Sequence, residues 1–204
     1  MRINKEDLLG SMMESMDRIT YIRPEEIPGI DLYMDQVLGF INDRMLPSTR
    51  NPGEDKILTK TMINNYTKND LLPPPNRKKY SREHMLLLIF IYYYKGLLSI
   101  NDIRTLLAPI TEQYFQAGDA KMRLEDIYNE VFGLEKDQIE TLKKDVAEKY
   151  RLAGDTFSEA KGEEKERLQL FSFICLLSFD VYTKRLLVEK IIDELREDTG
   201  ERKK

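Results

Sequence analysis

Apolar residues recur at helical spacing along most of the chain, and prolines and glycines cut the pattern into segments. Leu8, Leu9, Met12, Met13 and Met16 alternate with Lys5, Glu6, Asp7 and Glu14, which predicts an amphipathic helix over residues 5–18. Arg23-Pro24-Glu25-Glu26-Ile27-Pro28-Gly29 then breaks the pattern twice. A second helix is expected from about Asp31, a suitable cap, to Met45, with Leu32, Met34, Val37, Leu38 and Ile41 as its apolar stripe. Residues 46–53 read as loop. A short helix over about 59–69 stops at Asp70-Leu71-Leu72-Pro73-Pro74-Pro75, because three prolines cannot continue a helix. A tight, basic, exposed excursion follows at Asn76-Arg77-Lys78-Lys79-Tyr80. Ser81 is a good cap for the next helix, which runs through Met85-Leu86-Leu87-Leu88-Ile89-Phe90-Ile91 to Tyr94 and ends at Gly96. That helix is apolar nearly all round, so it belongs at the centre of its domain. Ser99 with Asp102 forms a capping-box pattern opening a helix over residues 100–107, and Pro109 marks a boundary.

From residue 111 onward the chain reads as helical throughout. Ile139, Leu142, Val146, Tyr150, Ala153, Phe157 and Ala160 step by three or four, with Gly154 placed to break or bend the stripe. A last helix or helix pair is expected over about 163–197, carrying Leu168, Phe171, Ile174, Cys175, Leu176, Phe179, Leu186, Leu187, Ile191 and Leu195. Its most apolar run, 168–182, is too short for a bilayer and is expected as a buried helix, with Cys175 as inert core. The tail 201–204 is expected to be solvated.

Composition narrows the class. The 204 residues suit one or two domains, and 41% apolar with 33% charged residues and only 10 glycines fits a helix-rich globular protein. A single cysteine excludes an internal disulfide, and no leader pattern opens the chain, so a cytoplasmic location is expected, with no membrane partner. The net charge of −4 is distributed unevenly. Between Lys56 and His84, seven cations face two acids, a balance of +5 that leaves −9 for the rest. A basic island in an acidic chain localises a polyanion site.

The island has internal order. Lys60, Asn64 and Lys68 stack on one face of the short helix, with Thr61 and Asn65 beside them and Ile63 and Tyr66 opposite. Asparagine can pair with adenine edges in the major groove, and lysine can reach guanine or phosphate. Arg77, Lys78 and Lys79 lie next in sequence, where cations can meet adjacent phosphates. The residues expected to touch double-stranded DNA are therefore Lys60, Thr61, Asn64, Asn65, Tyr66, Lys68, Arg77, Lys78, Lys79, Tyr80 and Arg82.

The series Thr61-Met62-Ile63-Asn64-Asn65-Tyr66, Asp70-Leu71-Leu72-Pro73, Tyr80-Ser81, the Ile89-Phe90-Ile91 helix and Gly96-Leu97-Leu98-Ser99-Ile100-Asn101-Asp102-Ile103 resembles the DNA-binding domain of the mercury-resistance-regulator (MerR) family. That family has a recognition helix ending in a Tyr pair, then Gly-Leu-Leu-Pro, a wing closing on Tyr-Ser, a buried helix and Gly-Phe-Ser-Leu. Asn64 and Asn65 stand where it has Arg and the first Tyr, Tyr66 matches the second Tyr, and the 46–58 connection is longer. From Pro28-Gly29-Ile30-Asp31-Leu32-Tyr33 through Leu58-Thr59-Lys60 to Leu107, the chain resembles a bacterial domain-of-unknown-function family numbered 1836. The resemblance implies an all-α fold: a MerR-like winged helix-turn-helix with a short wing, centred on residues 56–107, then a helical C-terminal domain. The expected layout is an N-terminal helix at 1–22, the DNA-binding domain at 23–110 and a dimerisation or effector domain at 111–204.

Other chemistry is poorly represented. His84 is the only histidine and, near a helix start, is expected to cap or pack; without a second His or a nearby Cys it nominates no zinc site. Tyr92, Tyr93 and Tyr94 are expected as core and rim. No two glycines lie closer than the eight residues from Gly154 to Gly162, so no glycine-rich phosphate loop is present. The chain is expected to be no enzyme and to need no cofactor. The leading expectation is a homodimeric, sequence-specific transcriptional regulator, its helical half supplying the dimer contact and, by analogy with helical sensor domains, a small-molecule effector pocket. The alternative is a protein-interaction module that keeps the helix-turn-helix only as scaffold.

Overall fold

The computed structural model describes residues 5–17, 19, 22–46, 49, 57–118 and 121–198. Most of the loop expected at 46–53, Lys56 and the 201–204 tail lie outside them. The chain is mostly helical. Its elements are α1 (Lys5–Asp17), a single 3-10 turn at Pro24–Glu26, β1 (Leu32–Tyr33), α2 (Met34–Met45), α3 (Lys60–Lys68), β2 (Lys79–Tyr80), α4 (Arg82–Tyr94), α5 (Ile100–Tyr114), α6 (Leu124–Gly154) and α7 (Gly162–Asp198). β1 and β2 form a two-stranded antiparallel ladder with Leu32 opposite Tyr80 and Tyr33 opposite Lys79. Two compact bodies result, one from Met1–Ile19 with Gly133–Val188, the other from Thr20–Phe132 with Glu189–Lys204.

The second body is built around α4. Every side chain from His84 to Ile91 is buried, as an all-round apolar helix requires. Val37 and Ile41 of α2, Ile63 and Tyr66 of α3, Leu71, Leu72, Tyr80, Ile103 and Leu107 join it in one core. The start of α6 adds Leu124, Tyr128 and Phe132; Phe90 packs on Tyr128 and Phe132 at ring separations of 5.4 and 5.6 Å. The Tyr128 hydroxyl donates to the Ile22 carbonyl at 2.7 Å. The end of α7 belongs to this body too: Ile192 is buried, and Arg196 pairs with Asp102 at 2.6 Å.

The first body contains α1 and most of α6 and α7. Lys143 bridges Asp17 at 2.5 Å, and Lys149 of α6 pairs with Asp180 of α7 at 2.8 Å. Phe173 is buried and meets Tyr150 edge-on. The Gln169 amide donates to the carbonyls of Gly154 and Thr156, closing the α6–α7 turn.

Several sequence expectations change. Asp31 does not open α2: residues 32–33 form a strand, and the helix starts after Tyr33, whose N–H donates to the Gln36 side chain at 2.9 Å. Pro109 is not a boundary, because α5 continues to Tyr114. The proline forfeits one internal hydrogen bond, while the added turns pack Ile110 and Tyr114 on the core. The chain is not helical from 111 on without interruption: residues 115–118, 121–123 and 155–161 are outside helices. Gly154 ends α6, so Phe157 and Ala160 leave its stripe. The 168–182 run is not a buried helix either; α7 buries Gln169 and Phe173 but exposes Phe171, Ile174, Phe179 and Cys175.

α3 ends in a Schellman arrangement. The Leu71 N–H donates to Tyr66 O at 2.9 Å, the Asp70 N–H to Thr67 O at 3.3 Å, and Leu71 is buried in the same core as Tyr66. The residue between cap and core is Asp70, held at φ 54°, where glycine is the favoured residue. Left-handed backbone costs a side-chain-bearing residue roughly 1–2 kcal/mol. Asp70→Gly is therefore expected to raise unfolding stability by about 1 kcal/mol, read as a higher urea midpoint at unchanged slope.

Candidate nucleic-acid interface

α3 is capped by Thr59, whose hydroxyl accepts the Met62 N–H at 3.2 Å. Its nine residues divide cleanly. Ile63 and Tyr66 are buried, whereas Lys60, Thr61, Asn64, Asn65 and Lys68 are all exposed. Lys60 and Lys68 make no ion pair with a described carboxylate. The approach to α3 is fixed from behind: Leu58 N–H donates to the Asn42 side chain at 3.3 Å, and Lys95 Nζ donates to Ile57 O at 2.6 Å. The second contact places the Lys95 ammonium over the Tyr92 ring, and burial pushes its pKa down.

The basic excursion is a tight turn. Lys79 N–H donates to Asn76 O at 2.9 Å, and the same pair forms a β-bridge. Its two central residues, Arg77 and Lys78, have φ 49° and 66°. Positive φ at both central positions is the signature of a type I′ turn, which normally recruits Asn-Gly. Here both positions carry exposed long cations instead. Lys79 is half-buried, its ammonium 5.3 Å above the ring of Tyr33, its partner across the ladder. α2 packs against β1, β2 and α3, so it supports both the turn and the exposed helix.

Three expected contact residues sit elsewhere. Tyr66 and Tyr80 are buried, at 6% and 4% exposure, and hold α3 and β2 to the core. Arg82 is half-buried; its guanidinium donates to the Pro24 carbonyl and pairs with Glu125 at 3.2 Å. These three shape the surface from beneath. Tyr33 is the residue that sequence reading overlooked. It is an exposed aromatic beside the turn, and the signal for it was the Leu32-Tyr33 pair after the turn residues Pro28-Gly29, which suits a short strand as well as a helix start.

His84 is buried and caps α4. Its Nδ1 accepts the Ser81 N–H at 3.0 Å, which leaves the proton of the neutral ring on Nε2. The ring lies edge-on to Tyr80 and Phe115. Burial pushes its pKa below the ordinary imidazole value, although the carbonyls of Pro74 and Pro73 and the Asp31 carboxylate favour the charged form. Among the described residues, no group of His, Cys, Asp and Glu could hold a metal ion, and no helix is long and apolar enough to cross a membrane.

Fold and surface together define a mostly helical protein presenting a basic, amide-bearing helix and a basic turn. The chain belongs to the family described as a domain of unknown function (DUF1836), which matches residues 22–131. No curated protein and no solved structure matches it.

Two outcomes follow. A histidine whose folded pKa is lowered leaves stability intact above its unfolded pKa and loses it as pH falls from there towards the folded value. Urea midpoints are therefore expected to fall between about pH 7 and pH 5, and His84→Gln, which keeps a cap acceptor, is expected to flatten that part of the profile. The turn gives the second: Arg77→Asn with Lys78→Gly is expected to stabilise the fold by about 1–2 kcal/mol in the same measurement.

Proposed function

We propose that α3 and the Asn76–Lys79 turn bind double-stranded DNA, and that the protein is a sequence-specific transcriptional regulator of the winged helix-turn-helix type. One observation carries the reading: α3 turns two amides and two lysines outward on a helix anchored by Ile63 and Tyr66, and the next exposed turn in the chain, resting like α3 on α2, is tipped by Arg77 and Lys78. An exposed nine-residue helix with that face fits the major groove, where Asn64 and Asn65 can read adenine edges and Lys60 and Lys68 can reach guanine or phosphate. Arg77 and Lys78 then meet the neighbouring backbone, adding affinity without sequence choice.

The order of elements supports the same reading. A short strand precedes two helices; a basic turn follows and closes on Tyr80-Ser81, and a buried helix and the Ser99-capped α5 come next. From α3 onward this is the series that the resemblance to the mercury-resistance-regulator family implies. The departure at Asn64 and Asn65 gives the helix amides where that family carries Arg and Tyr, so base contact weighs more than backbone contact at those positions.

The test is an anisotropy titration with genomic fragments at two salt concentrations. Lys60→Ala is expected to weaken binding to all fragments and to lower the salt slope by about one unit. Asn64→Ala is expected to relax base preference at one position by about 1–3 kcal/mol. The stabilised Arg77→Asn, Lys78→Gly chain is expected to bind more weakly despite its firmer fold. Unchanged binding in all three, or no retention of DNA at low salt, overturns the assignment.

A further inference from the structure

We propose that α3 selects an alternating A·T step, AT or TA, with Asn64 on the adenine of one strand and Asn65 on the adenine of the other. The proposal rests on the DNA reading and adds the base sequence that the helix selects.

The burial pattern fixes how α3 is turned. At about 100° per residue, Ile63 and Tyr66 define an inward line, and the outward line opposite passes midway between Asn64 and Asn65. Each amide therefore stands about 50° to one side of that line. Thr61 and Lys68 lie within about 10° of the line itself, near the two ends of the helix. Met62 and Thr67 fall about 110° from it on opposite sides, and both are half-buried, as that placement requires. Asn65 serves the fold through its backbone: its carbonyl accepts from Asn69 Nδ2 at 2.7 Å and from the Asn69 N–H at 3.1 Å. The side chains of Asn64 and Asn65 are left exposed.

The exposed polar row runs the whole length of α3, so lengthwise seating in the major groove uses all of it. An end-on approach would hold Lys68 away from the bases. Seated lengthwise, side chains that diverge to either side of the outward line reach opposite strands. Asn64 and Asn65 are about 1.5 Å apart along the axis, less than half of the roughly 3.4 Å between base pairs, so they meet the duplex at one level. An amide pairs in two-point fashion with the N6 and N7 edge of adenine. One base pair holds one adenine. Two amides on opposite strands thus need two neighbouring pairs whose adenines lie on opposite strands, which is an AT or TA step. An AA step would put both adenines on one strand, and G·C pairs lack that edge. Thr61, one turn earlier on the outward line, is short enough to let the helix approach as closely as asparagine requires. Lys60 lies about 90° off the line on the Asn64 side, towards the phosphates of that strand.

The test presents the full chain with a randomised duplex library at low salt. Retained duplexes are expected to be enriched in one AT or TA step at a fixed place. In a duplex so selected, 7-deazaadenine, which lacks the N7 acceptor, is expected to weaken binding of the unsubstituted chain roughly tenfold when placed in either strand of the step. Asn64→Ala is expected to become insensitive to the replacement on one strand only, and Asn65→Ala on the other strand only. The result on the unsubstituted chain stands even if a variant fails to fold. Duplexes retained without such a step overturn the proposal and leave the DNA reading in place. So does indifference to 7-deazaadenine on either strand, or loss of sensitivity on the same strand in both variants. Retention of no duplex at low salt overturns the DNA reading itself, and the proposal with it.

Discussion

α4 has no side that can face water, and the second body follows from that constraint. Eight successive side chains from His84 to Ile91 are buried, and each large apolar one removed from water contributes on the order of 1.5–3 kcal/mol. A helix of this kind must be enclosed on every side, so α2, α3, β2, α5 and the start of α6 each give up an apolar face to it. Ile63 and Tyr66 are the share that α3 contributes. Once they are committed, helical geometry leaves Lys60, Asn64 and Lys68 pointing outward. The candidate surface is thus a by-product of where the core lies, which makes it rigid and pre-formed.

Much of this was legible because the local signals were strong. Ser81 stands at the N-cap of α4, Ser99 caps α5 where its spacing to Asp102 predicts, and residues 73–75 separate α3 from the turn. What escaped the sequence depends on contacts between distant residues. The two-residue β1 exists only because Leu32 and Tyr33 find Tyr80 and Lys79 across the ladder, so Asp31 was misplaced as a cap. Pro109 reads locally as a stop, since its cost is plain in the sequence whereas the packing of Ile110 and Tyr114 is not. The α7 stripe has the composition of a core, and nothing local distinguishes apolar residues that face α6 from those that face solvent. Residue type alone makes Tyr66, Tyr80 and Arg82 contact groups, yet their burial is decided by the core.

Backbone strain and charge coincide between α3 and α4. Asp70, Arg77 and Lys78 all occupy left-handed backbone, and none is glycine. Glycine at 70 and Asn-Gly at 77–78 would relieve the backbone, so the side chains at these positions are kept at a cost in stability. Strain of this kind gathers where a side chain is needed for something other than folding. On the proposed DNA-binding reading, the need at Arg77 and Lys78 is a pair of cations at the tip of the turn, next to a ladder in which the Lys79 ammonium lies over the Tyr33 ring.

The most direct measurement of contact with a duplex is site-specific photocrosslinking. A photoreactive residue is placed singly at Asn64, at Lys78 and, as a control, at Lys136, an exposed residue of α6. With genomic duplexes retained at low salt, positions 64 and 78 should both crosslink to DNA and position 136 should not. DNA attached at 136 with 64 and 78 silent, or no attachment at any position, would contradict a duplex-binding surface on α3 and its turn.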